Sequence, residues 1–112
     1  MKKFLAIYMA PVGAFDEMLK NPDPAKMKAM SDSWTAWMKA HEKSFVDQGA
    51  PTGKNKRVAK GSVKDVRNEV TGYSVVQADS HEAAAKIFQD NPMLQAPGGY
   101  VEVLEWMEMP GM

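Results

Sequence analysis

The stretch Thr71–Pro110, TGYSVVQADSHEAAAKIFQDNPMLQAPGGYVEVLEWMEMP, decides the fold. Thr71 to Ala78 carries the β-branched and aromatic residues of a strand. Asp79 with Glu82 then fits an Asp-x-x-Glu capping box, with Ser80 as the alternative cap. The helix that follows turns Ala84, Ile87 and Phe88 inward and stops before Pro92. Pro97-Gly98-Gly99 returns the chain into a last strand, Tyr100 to Met107. This last strand is apolar on both faces, and a sheet built that way needs cover on both sides. The chain has too few helices to supply it, so a second copy of itself is the expected cover.

Working outward, the start of the chain gives a further strand. Lys2-Lys3, the run Phe4 to Ala10 and Val12-Gly13-Ala14 imitate a signal peptide with a small-residue cleavage site. The apolar run is short, holds Tyr8 and ends at Pro11, so it reads instead as a strand, FLAIYM, kept in the mature protein. No segment is apolar enough to span a bilayer, and the chain reads as cytoplasmic. PVGAFDEMLKNPDP is a loop with room for one helical turn. Asp23 followed by Pro24 starts a helix, because proline is tolerated where no N–H is needed. Met27, Met30, Trp34, Trp37, Met38, His41 and Phe45 draw one apolar stripe along it. Gly49 and Pro51 are expected to end it, which makes it about 37 Å long. Lys56 to Val66 reads as a polar edge strand interrupted by Gly61.

The order is βαββαβ, a ferredoxin-like α+β fold with a four-stranded antiparallel sheet, in a single domain spanning residues 1–112. With 14 basic and 14 acidic side chains, no net field selects nucleic acid or an anionic membrane. The basic run Lys54-Asn55-Lys56-Arg57 lacks interleaved aromatics and reads as a solvated loop. Absence of cysteine excludes disulfides and thiolate chemistry. Two histidines without an i, i+4 pattern give no metal site, and no cofactor motif is present. Ten methionines read as adaptable filler of core and interface.

Strand alternation divides the sheet. Leu5, Ile7, Met9, Ser74, Val76, Ala78, Val101, Val103 and Met107 are assigned to the face under the helices. Phe4, Ala6, Tyr8, Tyr73, Val75, Gln77, Tyr100, Glu102, Leu104 and Trp106 are assigned to the open face, which is expected to be buried in a homodimer around a polar-tipped pocket. Glu102 is the candidate acid–base group, since desolvation raises a carboxyl pKa. Tyr8 and Tyr73 are candidate donors to a carbonyl or oxyanion. Gln77 and Trp106 would line the ligand. His41 on the helix stripe and Asp79 at the carboxyl end of a strand are further candidates. Each has a plainer alternative: Glu102 at a sheet rim, tyrosines and His41 as packed core, Asp79 as a cap.

A resemblance emerges from MKKFLAIYMAP at residues 1–11, VDQGAP at 46–51, TGYSVVQADSHEAA at 71–84 and the segment from Asn91 to Pro110. Together these resemble the YCII-related family, in the branch with a C-terminal Gly-Gly-x-hydrophobic-Glu-Val segment, here Gly98 to Val103. The resemblance covers nearly the whole chain and implies a ferredoxin-like protomer in a dimeric α+β barrel. Some members are proposed to be enzymes using an acid–histidine pair in the cleft. That histidine would fall between Trp34 and Met38, where this chain has none, and the basic residue that often follows Glu-Val is Leu104 here. Other barrels of this shape are metal-free monooxygenases or isomerases acting on aromatic or lactone substrates, an analogy of fold. Two functions follow: a small-molecule enzyme or binder taking an aromatic or lactone-like ligand, or a non-catalytic dimer with a structural or regulatory role.

Overall fold

The computed structural model describes residues 1–110, apart from the side chain of Phe15. The elements are β1 (Lys2–Met9), α1 (Ala14–Lys20), α2 (Pro24–Ala40), β2 (Phe45–Pro51), β3 (Asn55–Ala59), β4 (Ser62–Val66), β5 (Val70–Ala78), α3 (His81–Ile87) and β6 (Tyr100–Glu105). Four strands form one antiparallel sheet in the order β2-β5-β1-β6, and β3-β4 form a separate hairpin. This is the α+β, ferredoxin-like arrangement expected, with the hairpin inserted between the second and third strands of the sheet. Among the described residues, no helix is long and apolar enough to cross a membrane.

The second sheet strand is Phe45–Pro51, not Lys56–Val66, and the long helix ends at Ala40 rather than at Gly49. His41 closes α2, and a one-turn 3-10 helix over Glu42–Ser44 reverses the chain into β2. The apolar stripe concealed this break because the strand continues it. The ring of Phe45 lies 5.5 Å from that of Trp37, and the ring of His41 lies 5.3 Å from it. Gly49 serves the sheet: its φ is 75°, and its N–H donates to the Asp47 carboxylate at 2.8 Å. A Cβ on Gly49 would stand 1.7 Å from the Tyr73 carbonyl oxygen, so the bulged β2 can approach β5 only with glycine here. The loop after Pro11 contains the seven-residue α1, longer than the single turn expected.

The helix ends follow local chemistry. Asp23 caps α2 by accepting from the N–H groups of Ala25 and Lys26 at 3.1 and 3.3 Å, with Pro24 first in the helix. Ser80 caps α3, accepting from the Ala83 N–H at 3.0 Å. Asp79 is therefore not the cap that the Asp-x-x-Glu reading made of it. The turn at Pro97-Gly98-Gly99 needs its last glycine, where a Cβ would stand 2.1 Å from the Met93 carbonyl oxygen.

The core lies between the sheet and the helices, and β1 enters it with the face opposite to the one expected. Phe4, Ala6 and Tyr8 are buried there with Val76, Ala78, Trp37, Ala84 and Phe88, while Val101 and Val103 pack against them. Strand register explains this. Phe4 pairs with Val76, Ala6 with both Ser74 and Val103, and Tyr8 with Val101, and directly paired residues share a face. The assignments hold on β5 and on β6 as far as Glu105, where the strand ends two residues short of the expected Met107, which is 75% exposed; β1 is inverted. Volume decides between its two apolar sets. Tyr8 meets Trp34 edge-on at 4.9 Å and Phe88 at 6.1 Å, filling space beneath the helices that Leu5 or Ile7 is too short to reach.

This protomer is more extended than its size requires. It exposes 8442 Å² at 12.4 kDa, against about 6,100 Å² for a compact monomer of that mass, a surplus of roughly 2,300 Å². Its radius of gyration is 15.8 Å, where about 13 Å is usual for 112 residues. Two arms account for this. The β3-β4 hairpin leaves the sheet with Val58 and Val63, a directly paired couple, 76% and 65% exposed. All of α2 before Trp34 is exposed, including Met27 and Met30. An ion pair between Arg67 and Asp16 ties the base of the hairpin to α1.

Candidate functional site

On the open face, Ile7 pairs with Tyr73 on one side and Glu102 on the other, so the three side chains stand in one row across three strands. With strands about 4.8 Å apart, the backbone roots of Tyr73 and Glu102 are about 10 Å apart, a gap that a small molecule can span. The neighbouring row is Val75, Leu5 and Leu104, and beyond it Gln77 pairs with Lys3. An apolar row is thus flanked by polar-tipped ones; within it Val75 is 7% exposed and Leu104 40% exposed. Gln77 donates from Nε2 to the Lys43 carbonyl at 3.4 Å. Glu102 is exposed in the protomer. Tyr100, two residues before it, has its phenol pushed above the usual tyrosine range. Desolvation is the first cause, followed by the Glu69 carboxylate and its hydrogen bond, then the charge of Glu102. Tyr100 is thus the phenol whose surroundings include Glu102.

Tyr8 does not belong with this group. It lies on the helix side, 5% exposed, with its hydroxyl 2.8 Å from Ser74 Oγ. Ser74 Oγ spends its proton on the Gln48 carbonyl at 2.8 Å, so the tyrosine must be the donor. Burial raises the Tyr8 pKa, and the bond to Ser74 offsets this in part. The expected pairing of Tyr8 with Glu102 failed because it rested on the parity of β1.

His41 is also on the helix side. Its Nε2 is 3.2 Å from Asp90 Oδ1, an oxygen that also accepts from Trp37 Nε1 at 3.1 Å. Desolvation pushes the Asp90 carboxyl up, but the hydrogen bonds from His41 and Trp37 outweigh it and hold it below the usual range. The cluster joins the ends of α2 and α3. Asp90 has no local motif to signal it, since its partner lies 49 residues away. Asp79 is exposed at the end of β5. Trp106 stands just past β6, 48% exposed, with the Lys3 ammonium 5.8 Å from its ring centre.

The sequence reading treated His81 as a helix-start residue, and the structure places it between two cavities. A groove of about 320 Å³ runs between α3 and β6, walled by Ala85, Phe88, Leu94, Val101 and Val103. A cleft of about 580 Å³ opens at the sheet end among Lys2, Lys3, Glu105, Trp106 and Glu108. His81 lines both. Its ring stacks on Phe4 at 5.2 Å and 22°, and its Nε2 donates to the Val103 carbonyl at 2.8 Å.

No family model matches this chain, and no curated protein sequence matches it. Among solved structures it is similar to the 5-chloro-2-hydroxyhydroquinone dehydrochlorinase of Burkholderia phenoliruptrix AC1100, determined in complex with 2,5-dihydroxybenzoquinone. The TM-score is 0.58 at 14% identity, over 96% of this chain and 95% of that one. At that identity the likeness is one of fold, and it supports the fold implied by the YCII-related resemblance.

Proposed function

We propose that the protein is a homodimeric small-molecule enzyme or binding protein whose pocket forms where two open sheet faces meet. The observation that carries this reading is the Tyr73–Ile7–Glu102 row, which sets a phenol and an exposed carboxylate on either side of an apolar residue on one sheet face. Leu104, 40% exposed on that face, supports it, since an exposed apolar patch on a sheet is a common place for an interface. In the pocket the Glu102 carboxylate takes a proton from the ligand and returns it. Tyr73 donates a hydrogen bond to the oxygen on which charge develops, and Gln77 fixes orientation. Carboxylate and phenol supply this acid–base chemistry from the chain itself. The ligand class is a small oxygenated ring, aromatic, quinone or lactone-like, in keeping with the dihydroxybenzoquinone bound by the structural neighbour.

Calorimetric titration with 2,5-dihydroxybenzoquinone tests this on the intact protein, alongside sedimentation equilibrium. The expected result is a mass of two chains and saturable binding that Glu102→Gln and Tyr73→Phe each weaken about tenfold. A dimer that binds no such ring, with its faces packed solid, would leave a structural or regulatory dimer. A stable monomer would remove the pocket altogether.

A further inference from the structure

We propose that the cleft and groove joined at His81 form a second binding site, built for a small aromatic carboxylate bearing a hydroxyl beside its acid group. It lies at the end of the sheet and uses neither Glu102 nor Tyr73.

His81 is held on two sides. Stacking on Phe4, which is 1% exposed, sets the plane of the imidazole. The bond to the Val103 carbonyl sets its rotation and its tautomer, because a carbonyl can only accept and Nε2 must therefore carry the proton. Neutral His81 consequently keeps its lone pair on Nδ1, where it accepts a hydrogen bond from a ligand hydroxyl. The two sides of this ring differ chemically. Apart from His81 and Gln89 the groove is lined by Ala85, Phe88, Leu94, Val101 and Val103, which suit an apolar ring body. The cleft presents Lys2 and Lys3, and among the described residues neither lysine is in an ion pair. Lys3 is poised over the Trp106 ring at 5.8 Å, a contact it can keep while its ammonium receives a carboxylate. One ligand meets all three requirements when its ring enters the groove, its carboxylate faces the lysines and its hydroxyl lies between them at His81. Glu105 and Glu108 on the cleft wall disfavour a ligand with more than one negative charge.

The test is an amide and indole NMR titration of the full-length protein with salicylate, and with benzoate as the analogue lacking the hydroxyl. Salicylate should bind saturably with a dissociation constant at or below about 1 mM, and benzoate about fivefold more weakly or worse. Shifts should centre on residues 2–4, His81, Gln89, Val101, Val103 and 105–108, including the Trp106 indole. Lys3→Met should weaken both ligands about tenfold. His81→Phe, which keeps a ring on Phe4, should make salicylate and benzoate bind alike. The proposal is overturned by equal binding of the two ligands to the wild type, or by no saturation at about 10 mM. Shifts centred on Tyr73 and Glu102 would overturn it too, by placing the ligand in the other pocket. If His81→Phe fails to fold, the salicylate–benzoate ratio on the wild type and the effect of Lys3→Met decide alone.

Discussion

The two faces of the sheet are both apolar, yet only one is finished within the protomer. On the helix side Phe4 and Val76 are 1% and 0% exposed, and even the polar Tyr8 and Ser74 satisfy each other in a chain of hydrogen bonds reaching β2. On the open side Val75 is buried, at 7%, but Leu104 remains 40% exposed and Glu102 is solvated. The difference teaches that hydrophobicity alone does not locate the core, because side-chain volume and polar satisfaction do. The aromatic set fills the deep space under the helices, and the aliphatic set lies flat where another flat surface can meet it.

Substitutions in the two faces should therefore fail in different ways. The largest effect belongs to Phe4→Ala, which removes a fully buried ring and should cost about 3–5 kcal/mol whatever the protein concentration. Urea denaturation at two concentrations measures this. Leu5→Lys, one residue away, should leave the helix-side core intact and lose stability in a concentration-dependent way, because it charges the face proposed for the second copy. A concentration-independent loss at Leu5, equal to that at Phe4, would break the comparison.

The tyrosines give a finer contrast. Tyr8→Phe removes the donor to Ser74 and should cost about 1 kcal/mol without changing ligand binding. Tyr73→Phe should do the reverse, leaving the midpoint of unfolding in place and weakening the ligand. Paired denaturation and calorimetry on both variants would show it.

A smaller effect concerns Asp90, whose carboxyl is held below its usual range. A depressed carboxylate contributes stability above its unfolded pKa and loses it as pH falls through the folded value. Asp90→Asn should therefore flatten the part of the acid limb below about pH 4 in a pH series of thermal melts, only modestly because the carboxylate is largely exposed. Smallest of all is Lys56→Met in the hairpin. It removes an exposed 2.5 Å contact with Asp65 and should change stability by under about 0.5 kcal/mol.

Much of the fold was legible because it is written in local rules. The strands FLAIYM and Tyr100 onward, the start of α2 at Asp23-Pro24, and the Pro-Gly-Gly turn each follow from backbone restriction or alternation. The break at His41 was not legible, because Phe45 continues the apolar spacing of α2 after the chain has already turned. Of the site, Tyr73, Gln77 and Glu102 were placed on a common face from β5 and β6 alone. Tyr8 was misplaced, and the surroundings of His81 and His41 were unreadable, since their partners Val103 and Asp90 are far away in sequence.

The sequence by itself determined that this chain forms a four-stranded α+β sheet, apolar on both sides and larger in appetite for cover than its helices can meet. Only the tertiary structure decided which way β1 faces. A period of two fixes which residues share a side but not which side it is, and FLAIYM is apolar on both. Pairing with β5 and β6, and the depth of the space under Trp34 and Phe88, made that choice. They turned Tyr8 into core and left Leu5, Ile7, Tyr73 and Glu102 facing outward.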